Sequence, residues 1–153
     1  MINKHWPRWI EKAILKHFDE LGREGLFVQH RGSPNETDSH QTFIKIRIAG
    51  PTFNTMPSNR YRGDVQVSVL IQTPEEESED MYAMSRLSGE VAEKFTCIEV
   101  YDDDDTYVET LNLIPWIGKS RVNIIDYGEI PDLDHLRCVV IGDYYIDLNS
   151  EGS

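Results

Sequence analysis

Between Asp64 and Gln72 the chain reads DVQVSVLIQ, with Val65, Val67, Val69 and Ile71 at every second position and Asp64, Gln66, Ser68 and Gln72 on the alternate ones. Successive side chains of an extended strand point to opposite faces, so this spacing predicts a β-strand with one apolar and one polar face. Leu70 is the sole apolar exception. The pattern argues against a doubly wound parallel sheet covered on both sides, whose strands read as unbroken apolar runs. The sheet built on it has one wet face, or one face turned to a polar partner.

Helical periods flank this strand. Ile10, Ile14, Phe18 and Leu21 recur at four, four and three residues beside Ala13 and His17, while Glu11, Lys12, Lys16, Asp19 and Glu20 take the outer side. Pro7 suits a first helical turn, and Gly22 and Gly25 follow, which predicts a helix over 7–21. A short strand is predicted at 26–29, then a polar loop from His30 to Ser39. Residues 42–48 alternate again, with Ile44, Ile46 and Ile48 on one side. Gly50-Pro51 is expected to break that strand and open a second irregular stretch to residue 60.

Downstream, Thr73-Pro74-Glu75-Glu76 reads as a helix entry with a capping box. Met81, Met84, Leu87, Ser88, Val91, Ala92 and Phe95 then predict a helix over 78–95, whose simplest task is to cover the other side of the same sheet. Strands follow at 96–101, 107–114, 120–127 and 135–148, the last expected to bend or bulge at Gly142. The order is α-β-β-β-α-β-β-β(-β). It predicts one α+β domain over 1–150, two helices packed on a mostly antiparallel or mixed sheet, and a frayed tail at 151–153.

Charge narrows the function classes. The 153 residues hold 27 Asp and Glu against 15 Lys and Arg, a formal charge of −12. That disfavours general nucleic-acid binding and anionic membrane surfaces, both of which need clustered cations. The imbalance is local: residues 1–50 carry 8 basic and 6 acidic side chains, residues 51–153 carry 7 and 21. Such a chain could stack complementary surfaces on a partner, or simply stay soluble. No 18-residue apolar run exists, and the N-terminus has no apolar core or cleavage site of a secretion signal.

Chemistry is scarce. GxSxG, GxGxxG, Walker and HExxH patterns are missing, so no catalytic, cofactor or metal residue is assigned, and an enzyme is not expected. Cys97 and Cys138 read as buried thiols of a reducing compartment, without the CxxC pairs of a structural zinc site. Cys138 lies three residues from His135, but it opens the apolar run CVVI and reads as a strand thiol rather than a nucleophile. His17 edges the apolar stripe of the first helix and reads as packing. Asp102, Asp103, Asp104 and Asp105 are the only cluster of metal-ligand density; neighbours in an extended chain point apart, so an exposed acidic hairpin turn is favoured over an ion site or an electrostatic contact surface.

Protein-binding surface remains. Phe53 and Met56 are apolar anchors in an otherwise turn-like stretch, with Arg60 and Arg62 beside them, and the four aspartates form a second candidate contact. Self-assembly or docking fits these features better than catalysis.

The succession of motifs carries a resemblance. The helix IxxAIxxHFxxL (Ile10 to Leu21), the step Tyr61-Arg62-Gly63 opening the strand VQVSVLIQTP, and a helix closing in EVAEKF (Glu90 to Phe95) resemble the tail terminator, or tail completion, proteins of long-tailed bacteriophages. The similarity covers roughly residues 8–95. It implies a virion structural protein of the head-proximal tail, made in the host cytoplasm. Its subunits would form a homo-oligomeric ring, usually a hexamer, on the completed tail tube. That ring would end polymerisation of the tube protein, offer a surface to the head-tail connector protein, and let DNA pass without specific binding. The 102–105 turn and the 30–40 loop depart from a compact member of that family. The alternatives are a connector stopper or adaptor, and a monomeric acidic protein-binding module.

Overall fold

A computed structural model of the chain describes residues 3–22, 26–29, 42–57, 60–74, 83–114, 122–130 and 135–149. The expected loop at 30–40, the acidic cluster at 75–80, Met81 and the tail at 151–153 lie outside the described residues.

Helix α1 spans Trp6–Asp19, close to its predicted bounds. Its stripe is buried as the spacing requires: Trp6, Trp9, Ile10, Ile14 and Phe18 all enter the core. Helix α2 spans Ala83–Lys94. The strands are β1 (Leu26–Gln29), β2 (Thr42–Met56), β3 (Arg60–Pro74), β4 (Ile98–Tyr101), β5 (Tyr107–Leu113), β6 (Val122–Ile130) and β7 (His135–Asn149). They form one seven-stranded sheet in the order β1-β2-β3-β7-β5-β4, with β6 pairing with β7 off that path. Only β1 and β2 run parallel; every other pair is antiparallel. The fold is α+β with two helices on an open, mixed, mostly antiparallel sheet.

Both helices lie on one face, which corrects the expectation that the second would cover the other side. Val65, Val67, Val69 and Ile71 of β3 share one buried cluster with Ile10, Ile14 and Phe18 of α1 and with Val91 of α2. Phe18 and Phe95 meet with ring centroids 4.9 Å apart, joining the two helices across the same layer. The reason is in the strand. β3 alternates apolar and polar residues, so it offers a dry surface on one side alone, and both helical stripes compete for it.

Three further expectations change. Gly50-Pro51 does not end β2, which continues to Met56 through a register shift between Ala49 and Thr52. Such a bulge accommodates one extra residue without ending the ladder. Gly50 has φ of 105°, and a Cβ there would lie 2.8 Å from the Asp64 carbonyl oxygen, so glycine is required. Thr73 and Pro74 are the last residues of β3, not a helix entry; the Thr73 hydroxyl bonds that of Thr42 across 2.7 Å. Finally, β7 runs through Gly142 with no shift in its pairing to β3. Gly142 is there for clearance, because a Cβ would lie 2.4 Å from the Phe95 ring.

Candidate functional site

The first group of candidate residues lies on strands rather than on a loop. Phe53 and Met56 belong to β2, and Arg60 and Arg62 to β3, with Asn54 opposite Arg62 and Met56 opposite Arg60. Phe53 is half-buried. Its ring packs on Gly63 and joins the edge of the core, so it is not the free loop anchor that the turn-like sequence suggested. Met56 is 41% exposed and Arg60 is exposed. Arg62 is held on the open face: its Nε donates to Asp64 Oδ1 at 3.1 Å, and its guanidinium stands 4.7 Å over the Tyr145 ring. Such stacking fixes a guanidinium that would otherwise sweep the surface.

The second group forms the turn between β4 and β5. Asp102 organises it: Oδ1 accepts the backbone N–H of Asp104 at 2.9 Å and of Thr106 at 3.0 Å, an Asx-type closure. Asp105 takes φ of 58°, the left-handed region that aspartate tolerates better than most residues. Asp103 pairs with Arg8 of α1. Asp103, Asp104 and Asp105 are exposed. The expected acidic hairpin turn is present, and one of its carboxylates is already spent on the backbone.

Register brings the two groups to one end of the sheet. Arg60 is opposite Asn149 at the end of β7, while Asn112 and Leu113 of the antiparallel β5 face Tyr145 and Tyr144. Tyr107, at the start of β5, therefore extends toward that same end, and the aspartate turn precedes it. Met56, Arg60 and Asp102–Asp105 thus share a rim carrying apolar, cationic and anionic side chains. Sequence spacing alone could not join positions more than 40 residues apart.

Among the described residues, several groups that could do chemistry line one cleft. A cleft of about 540 Å³ between α1 and β4 is lined by Trp9, Lys12, Lys16, His17, Cys97 and Glu99 among others. His17 Nε2 donates to the Lys94 carbonyl at 2.7 Å, at the end of α2. Cys97 is exposed, contrary to the buried thiol expected, because it falls just before β4; its sulfur donates to Asn112 Oδ1 at 3.7 Å. Cys138 is buried as expected, and burial pushes its thiol up to about 11, away from thiolate chemistry. Among the described residues no three His, Cys, Asp or Glu side chains gather to hold a metal ion. No described helix is long and apolar enough to cross a membrane.

Sequence reasoning placed a strand at 120–127, where β6 lies, but missed its exposed apolar residues. Ile124, Ile125 and Tyr127 are 49%, 38% and 58% exposed there, half of the six large hydrophobic residues exposed among those described. The signal was the adjacent Ile124-Ile125 pair, which puts an apolar side chain on both faces of an edge strand.

No family model and no curated protein matches the chain. Seven chains of solved structures are similar to it. One of them, whose name says nothing of function, is 12% identical with a TM-score of 0.52, over 94% of this chain and 95% of that one. At that identity the likeness is one of fold.

Proposed function

We propose that this protein is a structural subunit of a bacteriophage virion, which forms a ring on the tail tube, ends tube growth and joins the tail to the head. The observation that carries the reading is the shared rim: Met56 on β2, Arg60 on β3 and the aspartates of the β4–β5 turn extend toward one end of the sheet, a surface suited to stacking on another protein. The motif succession from Ile10 to Phe95 supports the same reading. Acidic composition suits a channel wall, since like charge keeps passing DNA from sticking.

The test is electron microscopy of lysates from the phage deprived of this gene. Overlong or unjoined tails beside full heads are expected, and supplying the protein in trans restores joined tails of normal length. Normal joined tails without the gene would refute the reading.

A further inference from the structure

Helix α1 runs antiparallel to β4 and is tied to its flanks at both ends. Near the start of the helix Arg8 pairs with Asp103, in the turn that follows β4. Just past its end Glu20 pairs with Lys94, and His17 Nε2 donates to the Lys94 carbonyl at 2.7 Å, shortly before β4. The buried stripe of Trp9, Ile10, Ile14 and Phe18 fixes α1 on the core. Between the two ties lies the cleft of about 540 Å³, a volume within the roughly 300–1,000 Å³ of small-ligand sites.

The walls of that cleft carry opposite charges. Lys12 and Lys16 stand on α1, and Glu99 of β4 and Asp105 of the turn line the other side. All four are exposed, and none makes an ion pair among the described residues. Glu20, one turn beyond Lys16, is taken by Lys94, while Glu99 accepts a neutral partner, the Tyr101 hydroxyl, at 2.5 Å. Because its core stripe holds α1 in place, the walls face each other without meeting, and a guest carrying both signs finds them already positioned. Lys12 and Lys16, one turn apart, are separated by about 6 Å along the helix axis, a spacing at which two ammonium groups can straddle one carboxylate. Trp9 and Ala13 on the helix and Ile98 and Tyr101 on the strand add apolar lining. Trp9 also brings a buried indole N–H with no acceptor among the described residues, an unmet donor in the same wall. A carboxylate, an ammonium, amide carbonyls and an apolar body together describe a short peptide.

We propose that this cleft binds a short peptide by its two termini, the carboxylate between Lys12 and Lys16 and the ammonium toward Glu99 and Asp105, with a side chain against Trp9 and Tyr101.

The test uses a reporter that the chain already contains. Cys97 is exposed and lines the cleft, so its alkylation by iodoacetamide reads occupancy, while the buried Cys138 stays silent. The probes are the tripeptides Ala-Ala-Ala, Ala-Leu-Ala and Ala-Phe-Ala, each free, N-acetylated and C-amidated, added to the full chain. At least one free tripeptide is expected to slow alkylation of Cys97 by about tenfold near saturation and to shift the Trp9 indole N–H resonance. Its C-amide is expected to bind at least about fivefold more weakly. Lys12→Ala combined with Lys16→Ala should weaken the free peptide as much and the C-amide no further, and Glu99→Gln with Asp105→Asn should stand in the same relation to the N-acetylated form. Alanine is favoured at exposed helix positions, so the lysine variant is expected to fold, and the capped peptides on the wild-type chain keep the test decisive if it does not. No protection by any tripeptide, equal protection by free and capped forms, or losses that simply add between the lysine variant and the C-amide would overturn the proposal. None of these outcomes bears on the ring reading, which the tail-length experiment decides.

Discussion

Replacing Gly142 with alanine probes the tightest contact between β7 and the segment after α2. The new Cβ would stand 2.4 and 2.7 Å from two atoms of the Phe95 ring. Carbon atoms in contact prefer about 3.5–4.0 Å, so roughly 1 Å of overlap must be relieved. Phe95 has little room to retreat: it is buried, with Phe18 at 4.9 Å on one side and Tyr144 stacked at 6.3 Å on another. Overpacking of this kind costs about 1–3 kcal/mol, and the immobile ring places Gly142→Ala in the upper half of that range. For a chain of this size about 2–3 kcal/mol lowers the melting temperature by about 4–12 °C. The assay is urea unfolding followed by circular dichroism, on Gly142→Ala, Phe95→Leu and the double variant. Shortening the ring gives the methyl group space, so the double variant should be more stable than additivity predicts by at least about 1 kcal/mol. A Gly142→Ala protein within about 0.5 kcal/mol of wild type, or strict additivity, would refute the clearance argument.

Two further outcomes follow from the turn and from the thiols. Asp102→Ala should cost about 1 kcal/mol, since two backbone N–H groups lose their acceptor, while Asp102→Asn keeps an acceptor oxygen and should cost much less; thermal melts of both variants check it. In the native protein a thiol reagent should modify Cys97 at once and Cys138 only on unfolding. Because burial raises the Cys138 thiol to about 11, its contribution to stability is fully present below the ordinary thiol value and is lost as pH rises toward 11. Melting of wild type and Cys138→Ala across that alkaline window should converge as pH rises.

Elements whose residues meet one surface were legible in the sequence alone. Ile10, Ile14 and Phe18 declare α1 because a helix repeats every 3.6 residues, and Val65 to Ile71 declare β3 because a strand repeats every two. The acidic turn at 102–105 was legible for the same local reason: four aspartates have no place in a buried strand. Pairing was not. Gly50-Pro51 has the chemistry of a break, and only β3 lying opposite, with room for a bulge at Ala49/Thr52, carries the strand on to Met56. Gly142 has the same composition whether it bends a strand or makes way for a ring 47 residues earlier in the chain. The joining of Met56 and Arg60 with the aspartate turn and the crowding of both helices onto one face are likewise decided by register between distant strands. Periodicity reports which side of an element is dry; which neighbour dries it is settled only when the whole sheet closes up.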